Sequence, residues 1–310
     1  MKKALIALVV LAVIAAGAGW VLSAPTTMSE EEASALKAGD PDKGELVFWA
    51  GGCASCHAAK DAKDDDLLKL GGGLRLETPF GVFVAPNISS SETDGIGAWS
   101  LVDFANAMTH GTSPDGRNLY PAFPYTSYAR MSGEDLGDLY AFLKTLPAIE
   151  GKAGPNELAF PFNIRRGLGL WKRLFLDPAP VIASPVSGQD VDQAQWDRGR
   201  YLVEGPGHCG ECHTPRDFAG GLILAEWLGG AAAPTGEGRI PDITPVEGKF
   251  GSWSASDIAY YLESGFTPEY DSVGGEMVKV QENMARLPAS DREAIAAYLK
   301  AIPAVDPEAN

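Results

Sequence analysis

The sequence has little positive charge: 25 Lys and Arg face 41 Asp and Glu in 310 residues, a formal net charge of −16. That balance argues against nucleic acid as a partner, because phosphate binding needs a basic face. Cysteine is scarce, with four residues, too few for a small fold held together by dense disulfides. Glycine-rich nucleotide-binding fingerprints and a Ser-His-Asp constellation are both missing, so neither nucleotide cofactors nor that hydrolytic chemistry is indicated. What is present is 45% hydrophobic and 21% charged residues, the composition of a folded chain rather than a disordered tail or a multi-span membrane protein. The length allows two ordinary domains or one large one.

One apolar run stands apart. Lys2 and Lys3 precede 19 uncharged residues, Ala4 to Leu22, with Trp20 near the far end. This is long enough to cross a bilayer as a helix, whereas the core of a cleaved signal is usually shorter, roughly 7–15 residues. The cleavage site is poor, since Pro25 disfavours a cut after Ala24. Residues 1–24 are therefore expected to form an uncleaved anchor, with a cleaved signal as the alternative. In either case the lysines place the remaining chain outside the cytoplasm, on the periplasmic side of a bacterial inner membrane.

All four cysteines fall in two pentapeptides, Cys53-Ala54-Ser55-Cys56-His57 and Cys209-Gly210-Glu211-Cys212-His213. A compact zinc ribbon would need the two pairs 15–20 residues apart, and here 152 separate Cys56 from Cys209. A thioredoxin-like redox pair would sit in a βαβ pattern and leave the histidine unexplained. Covalent attachment of haem c uses all three residues: two thioethers to the porphyrin and the adjacent imidazole to the iron. Two covalent haem c groups are expected, with Cys53, Cys56, Cys209 and Cys212 holding the porphyrins and His57 and His213 the irons.

The surroundings repeat. Asp42-Lys43-Gly44 precedes the first motif and Asp197-Arg198-Gly199 the second, each in a short helix carrying aromatics (Phe48 and Trp49; Tyr201). Pro86-Asn87-Ile88 answers Pro241-Asp242-Ile243, and Gly97-Ala98-Trp99-Ser100 answers Gly251-Ser252-Trp253-Ser254. Helical stretches follow at Leu101 to Thr109 and Ala255 to Ser264, closed by Gly111 and Gly265. Cys53 to Cys209 and Phe142 to Tyr298 are both 156 residues, the mark of a tandem duplication. The last helix of each copy is expected to begin with a capping box, Ser132 with Asp135 and Ser290 with Glu293. The expected fold is all-α: two tandem class I cytochrome c-like domains, 36–150 and 190–305, joined by a linker over 151–189.

Gly111-Thr112-Ser113-Pro114-Asp115-Gly116-Arg117 followed by Leu119-Tyr120-Pro121-Ala122-Phe123-Pro124-Tyr125 resembles the first domain of the cytochrome c subunits of membrane-bound alcohol and gluconate dehydrogenases. The stretch Gly274-Gly275-Glu276-Met277 resembles a later haem domain of the same group. Those subunits carry three haems, so a dihaem branch describes this chain better. The resemblance implies electron relay from a dehydrogenase towards quinone, an oxidase or another cytochrome, with the catalytic centre in another polypeptide. It also implies Met277 as the sixth ligand of the second iron, with Met284 as core filler. For the first iron the group's Pro-Ala-Met-Pro-Tyr reads Pro121-Ala122-Phe123-Pro124-Tyr125, and phenylalanine cannot bind iron. Met131, directly before Ser132, is the favoured substitute; His110 or an open iron are alternatives, and Met108 reads as packing inside its helix.

Residues 160–175 are the one basic-aromatic stretch. Docking on an anionic bilayer beside the anchor, pairing of Arg165 or Arg166 with haem propionates, and plain packing of a linker all compete for it. The run Asp61, Asp64, Asp65 and Asp66 is read as a solvated loop, with docking of a basic partner as the functional alternative. His/Met ligation fills both axial positions and suits electron carriage better than substrate activation. A haem peroxidase or sulfur-compound-oxidising enzyme, and a subunit that merely anchors a dehydrogenase, are the other readings.

Overall fold

Lys2 to Leu22 has no charge after its two lysines and no proline, and in the computed structural model it forms one continuous helix, α1 (Lys2–Leu22), with none of its residues buried. The structure describes residues 1–233, 238–247 and 250–305. Helix α2 (Glu30–Ala35) begins with a capping box between Ser29 and Glu32. Helix α3 (Pro41–Ala50) has Asp40 as its cap and Pro41 in its first turn, and it delivers the chain to α4 (Cys53–His57). Next come α5 (Leu101–His110), α6 (Tyr125–Tyr128) and α7 (Gly133–Thr145). After α8 (Leu168–Phe175) the order is replayed as α9 (Gln193–Glu204), α10 (Gly210–His213), α11 (Ala255–Ser264), α12 (Met277–Met284) and α13 (Ala289–Lys300).

The replay is one of contacts as well as of order. Helix α3 packs on α7, and α9 on α13, as the principal helix pairs. Each crossing is made at a glycine. A Cβ on Gly44 would lie 2.0 Å from the Asp138 carbonyl oxygen and 2.8 Å from Phe142 Cβ. One on Gly199 would lie 1.9 Å from the Ala294 oxygen and 2.9 Å from Tyr298 Cβ. The Asp-Lys/Arg-Gly lead-ins are therefore the points where two backbones touch. The middle helices begin with capping boxes, Ser100 with Asp103 and Ser254 with Asp257, and end at left-handed Gly111 (φ 56°) and Gly265 (φ 76°). Lys144 of α7 donates to the Gly97 carbonyl, and Lys300 of α13 donates to those of Gly251 and Trp253, which ties each last helix to its Trp-Ser turn. Buried side chains form one core cluster that runs through both halves, from Val47 to Ile302.

Three expectations are corrected. The chain is not purely helical: β1 (Arg75–Thr78), β2 (Gly81–Val84) and β3 (Glu157–Leu158) form a small antiparallel sheet in the order β1-β2-β3. A second pair, β4 (Ala231–Ala232) and β5 (Arg239–Ile240), lies in the later half. The alternation Leu74 to Val84 around Pro79-Phe80 was a hairpin signal, and β3 ties the start of the 151–189 segment back to residues 81–82. The second correction concerns the capping boxes of the last helices. Ser132 accepts from the Asp135 N–H, but the Asp135 carboxylate accepts the Tyr201 hydroxyl at 2.5 Å instead of closing the box. Helix α13 starts one residue before Ser290, with Pro288 as an uncapped N-cap. Third, Met277 and Met284 are not in a loop; they are the first and last residues of α12.

Candidate haem-binding site

Each pentapeptide winds into a single helical turn, which brings its two cysteines and its histidine to one side of the chain. At the first, Gly52 supplies the left-handed residue before Cys53 (φ 56°); at the second the equivalent residue is His208, a non-glycine at φ 38°. The histidines are held alike. His57 Nδ1 lies 2.8 Å from the Pro86 carbonyl oxygen and His213 Nδ1 lies 2.8 Å from that of Pro241. A carbonyl only accepts, so each Nδ1 carries the proton and each Nε2 is left with its lone pair free for a metal. Burial lowers the pKa of both imidazoles, which keeps them neutral, the form a ligand requires. The repeated Pro86-Asn87-Ile88 and Pro241-Asp242-Ile243 segments thus carry the orienting carbonyls, a role their spacing alone did not disclose.

The thiols behave unlike a redox pair. No disulfide joins them, and burial pushes Cys53 and Cys209 up to about 12, whereas a reactive CxxC thiol is held low. Among the described residues no three His, Cys, Asp or Glu side chains cluster to hold a bare metal ion. Two thiols plus one imidazole with a free Nε2 form the donor set of covalent haem c.

Cys53 opens on an apolar cavity lined by Val47, Met108, Tyr128, Met131 and Pro206. Met131 and Met108 are both buried there, so Met108, assigned to packing by its helical position, shares the cavity with Met131. His110 does not line it; its Nδ1 is 2.8 Å from Thr109 Oγ1. Phe123 packs edge-on against Tyr125 and Tyr128. Met277 is half-buried, and its neighbours Glu276 and Lys279 bear on Cys56, with Glu276 also bearing on Cys212. Met284 is buried.

The two motifs face each other across a pseudo-symmetric interface. Ser127 donates to Glu211, the residue before Cys212, at 2.9 Å; 156 residues on, Asn283 donates to Ser55, the residue before Cys56, at 2.8 Å. Arg286 lies 4.0 Å over the Trp49 ring. His208 Nε2 is 3.2 Å from the Gly51 oxygen, and its ring packs edge-on against Tyr128. Each methionine-bearing segment thus touches the other copy's pentapeptide.

Residues 41–147 match the cytochrome c family. A protein of Cereibacter sphaeroides named "Diheme cytochrome c-type" is 50% identical over 306 residues, covering 99% of this chain and 100% of that protein. The chain belongs to the c-type cytochromes. This cytochrome is also 37% identical over 265 residues to the fructose dehydrogenase cytochrome subunit of Gluconobacter japonicus, covering 84% of the chain and 52% of the subunit. With the gluconate 2-dehydrogenase cytochrome c subunit of Pantoea cypripedii it shares 34% identity over 272 residues, 85% of the chain and 60% of the subunit. The cytochrome thus spans little more than half the length of these dehydrogenase subunits. As a c-type cytochrome it binds haem c covalently and serves electron transfer.

Proposed function

We propose that this cytochrome is a dihaem electron carrier, anchored on the periplasmic side of the membrane, that accepts electrons from a dehydrogenase and delivers them to quinone, an oxidase or another cytochrome. The observation that carries it is the paired Nδ1-to-proline-carbonyl contact, repeated at both pentapeptides with equal length. The haem domains are assigned to 36–150 and 190–305, with Cys53, Cys56 and His57 serving the first haem and Cys209, Cys212 and His213 the second. Met131 and Met277 are assigned as the sixth ligands. Bound haem c supplies a one-electron iron couple. The chain's own part is to fix both imidazoles as neutral Nε2 donors, to exclude water with the apolar wall around Met131, and to hold the two pentapeptides together through Ser127, Glu211, Asn283 and Ser55. That interface supports passage of an electron from one site to the other within a single chain.

The anchor is supported by how the end of α1 is held. Ser23 is buried, Arg166 donates to the Trp20 carbonyl at 2.6 Å and Arg173 to that of Leu22 at 2.6 Å. Cleavage near Ala24 would remove all of these partners. A spectroscopic redox titration under carbon monoxide tests the proposal. Two one-electron waves unaffected by the gas are expected; a haem that binds carbon monoxide in the untreated protein would turn the assignment towards a haem enzyme.

A further inference from the structure

Residues 158–176 contain Arg165, Arg166, Lys172 and Arg173 and no acidic residue, in a chain of net charge −16. Three of the four cations are spent on helix ends. Lys172 is buried and donates to the carbonyl of His110 at 2.7 Å and to Thr112 Oγ1 at 3.1 Å, closing the C-terminus of α5. Arg166 and Arg173 close the C-terminus of α1, and the Arg166 guanidinium lies 4.0 Å over the exposed Trp20 ring. Helix α8 comes so close to this end that a Cβ on Gly169 would lie 2.1 Å from the Ser23 oxygen. Its other side packs on the globular part, where Trp171 donates to the Ala219 carbonyl and the Phe175 ring covers Gly221.

Among the described residues that arrangement leaves one apolar stripe uncovered. Leu170 and Leu174, one turn apart, are exposed, as are Phe160 and Ile164 just before the helix, while Phe162 between them turns its ring edge-on to Phe80 at 4.9 Å; Leu174 and Phe160 each show 78% of their surface. We infer that this stripe is seated in the outer-leaflet interface of an anionic phospholipid bilayer, at the point where α1 leaves it. Continuity with the anchor and the local positive charge both select this occupant. The aromatic and arginine side chains at the helix exit are those that favour the headgroup level. The consequence is orientation: α8 touches the end of α1, the end of α5 and the 219–221 loop of the later half, so seating it fixes how both halves stand on the membrane.

The inference rests on the proposed anchor, and the test separates the two. All native cysteines are assigned to haem thioethers, so a single new cysteine reports its own surroundings. Leu174→Cys, Phe160→Cys, Val10→Cys and Asp65→Cys in the full haem-loaded chain are reconstituted into phosphatidylcholine–phosphatidylglycerol vesicles. Each is treated with a membrane-impermeant maleimide, and a parallel sample carries a diazirine phospholipid. The expected result is labelling at 174 and 160 about tenfold or more slower than at 65, with lipid adducts on the peptides spanning 160–174. If positions 174 and 160 react as fast as 65 while 10 stays protected, the seating is wrong and the anchor stands. If position 10 reacts as fast as 65, the anchor is wrong and the seating falls with it. Protection without lipid adducts, together with disulfide-linked dimers of the Leu174→Cys chain in a further sample oxidised with copper–phenanthroline, would overturn the lipid in favour of a second copy.

Discussion

Replacing Gly44 by alanine opposes two effects of different sign. Helix propensity alone favours alanine over glycine inside a helix by about 1 kcal/mol. At Gly44 the added methyl would lie 2.0 Å from the Asp138 oxygen and 2.8 Å from Phe142 Cβ, closer than real Cβ contacts come. The obstacle is backbone, which cannot rotate aside as a side-chain tip can, so α3 and α7 must separate by about 1 Å. A gap of that size forfeits a quarter to a half of each contact's dispersion energy. Along the seam lie Val47, Phe48, Leu139, Phe142 and Leu143, all buried. Overpacking of this kind costs about 1–3 kcal/mol and more when backbone is the obstacle, so the net loss is about 2 kcal/mol. For a chain somewhat larger than 250 residues that lowers the melting temperature by at most about 4–8 °C. Gly199→Ala should behave alike, since its methyl would lie 1.9 Å from the Ala294 oxygen. Gly133→Ala, whose nearest neighbour is Leu36 Cδ2 at 3.5 Å, is the control and should melt at or slightly above the parent. Far-ultraviolet circular dichroism melts of the haem-loaded protein read all three. If Gly44→Ala and Gly199→Ala melt as high as Gly133→Ala, the close-crossing argument is refuted.

Further outcomes are expected. Met131→Ala should abolish the sulfur-to-iron absorption of one haem, lower its potential and admit carbon monoxide, and Met277→Ala should do so for the other haem; the same loss in Met108→Ala but not Met131→Ala would reassign the first ligand. His208→Gly should melt above His208→Ala, because both lose the Gly51 and Tyr128 contacts while only glycine relieves the left-handed backbone, worth about 1 kcal/mol; the reverse order would contradict that account. Hydrogen bonds from Ser254 hold Asp257 below its ordinary 3.8, and those from Ser29 hold Glu32 below 4.5. A carboxylate depressed by folding stabilises above its unfolded value and loses that contribution as pH falls through the folded one. These carboxylates should therefore make the melting temperature fall steeply below about pH 4, adding to a shallower loss that begins near about pH 6, where the imidazoles kept neutral by burial would take up a proton on unfolding. A melting temperature unchanged between about pH 5 and 3 would contradict the carboxylate account.

Local chemistry with a strict sequence requirement was legible in advance. The CxxCH pentapeptides, the 156-residue offset and the Gly111 and Gly265 helix ends all follow from residue type and spacing. What escaped depends on groups distant in the chain. Pro86 and Pro241 act through their carbonyls, which any residue possesses, so only the fold shows that they aim the imidazoles. Asp135 was expected to close its own helix cap, but Tyr201, 66 residues on, captures its carboxylate. Gly44 and Gly199 looked like parts of a repeat until the second helix at each crossing was in place. The basic stretch left three uses open; the structure commits Arg166, Lys172 and Arg173 to the ends of α1 and α5, and Arg165 to the Asn118 carbonyl at 3.2 Å and the Tyr120 ring.

Under the proposed function one chain carries two haems at two equivalent pentapeptides. Mass analysis of the denatured protein, beside the Cys209→Ala, Cys212→Ala double variant, counts them. Two covalent haem additions are expected on the native chain and one on the variant, the remaining haem mapping to the peptide with Cys53 and Cys56. A single addition on the native chain, or an unchanged count in the variant, would contradict it.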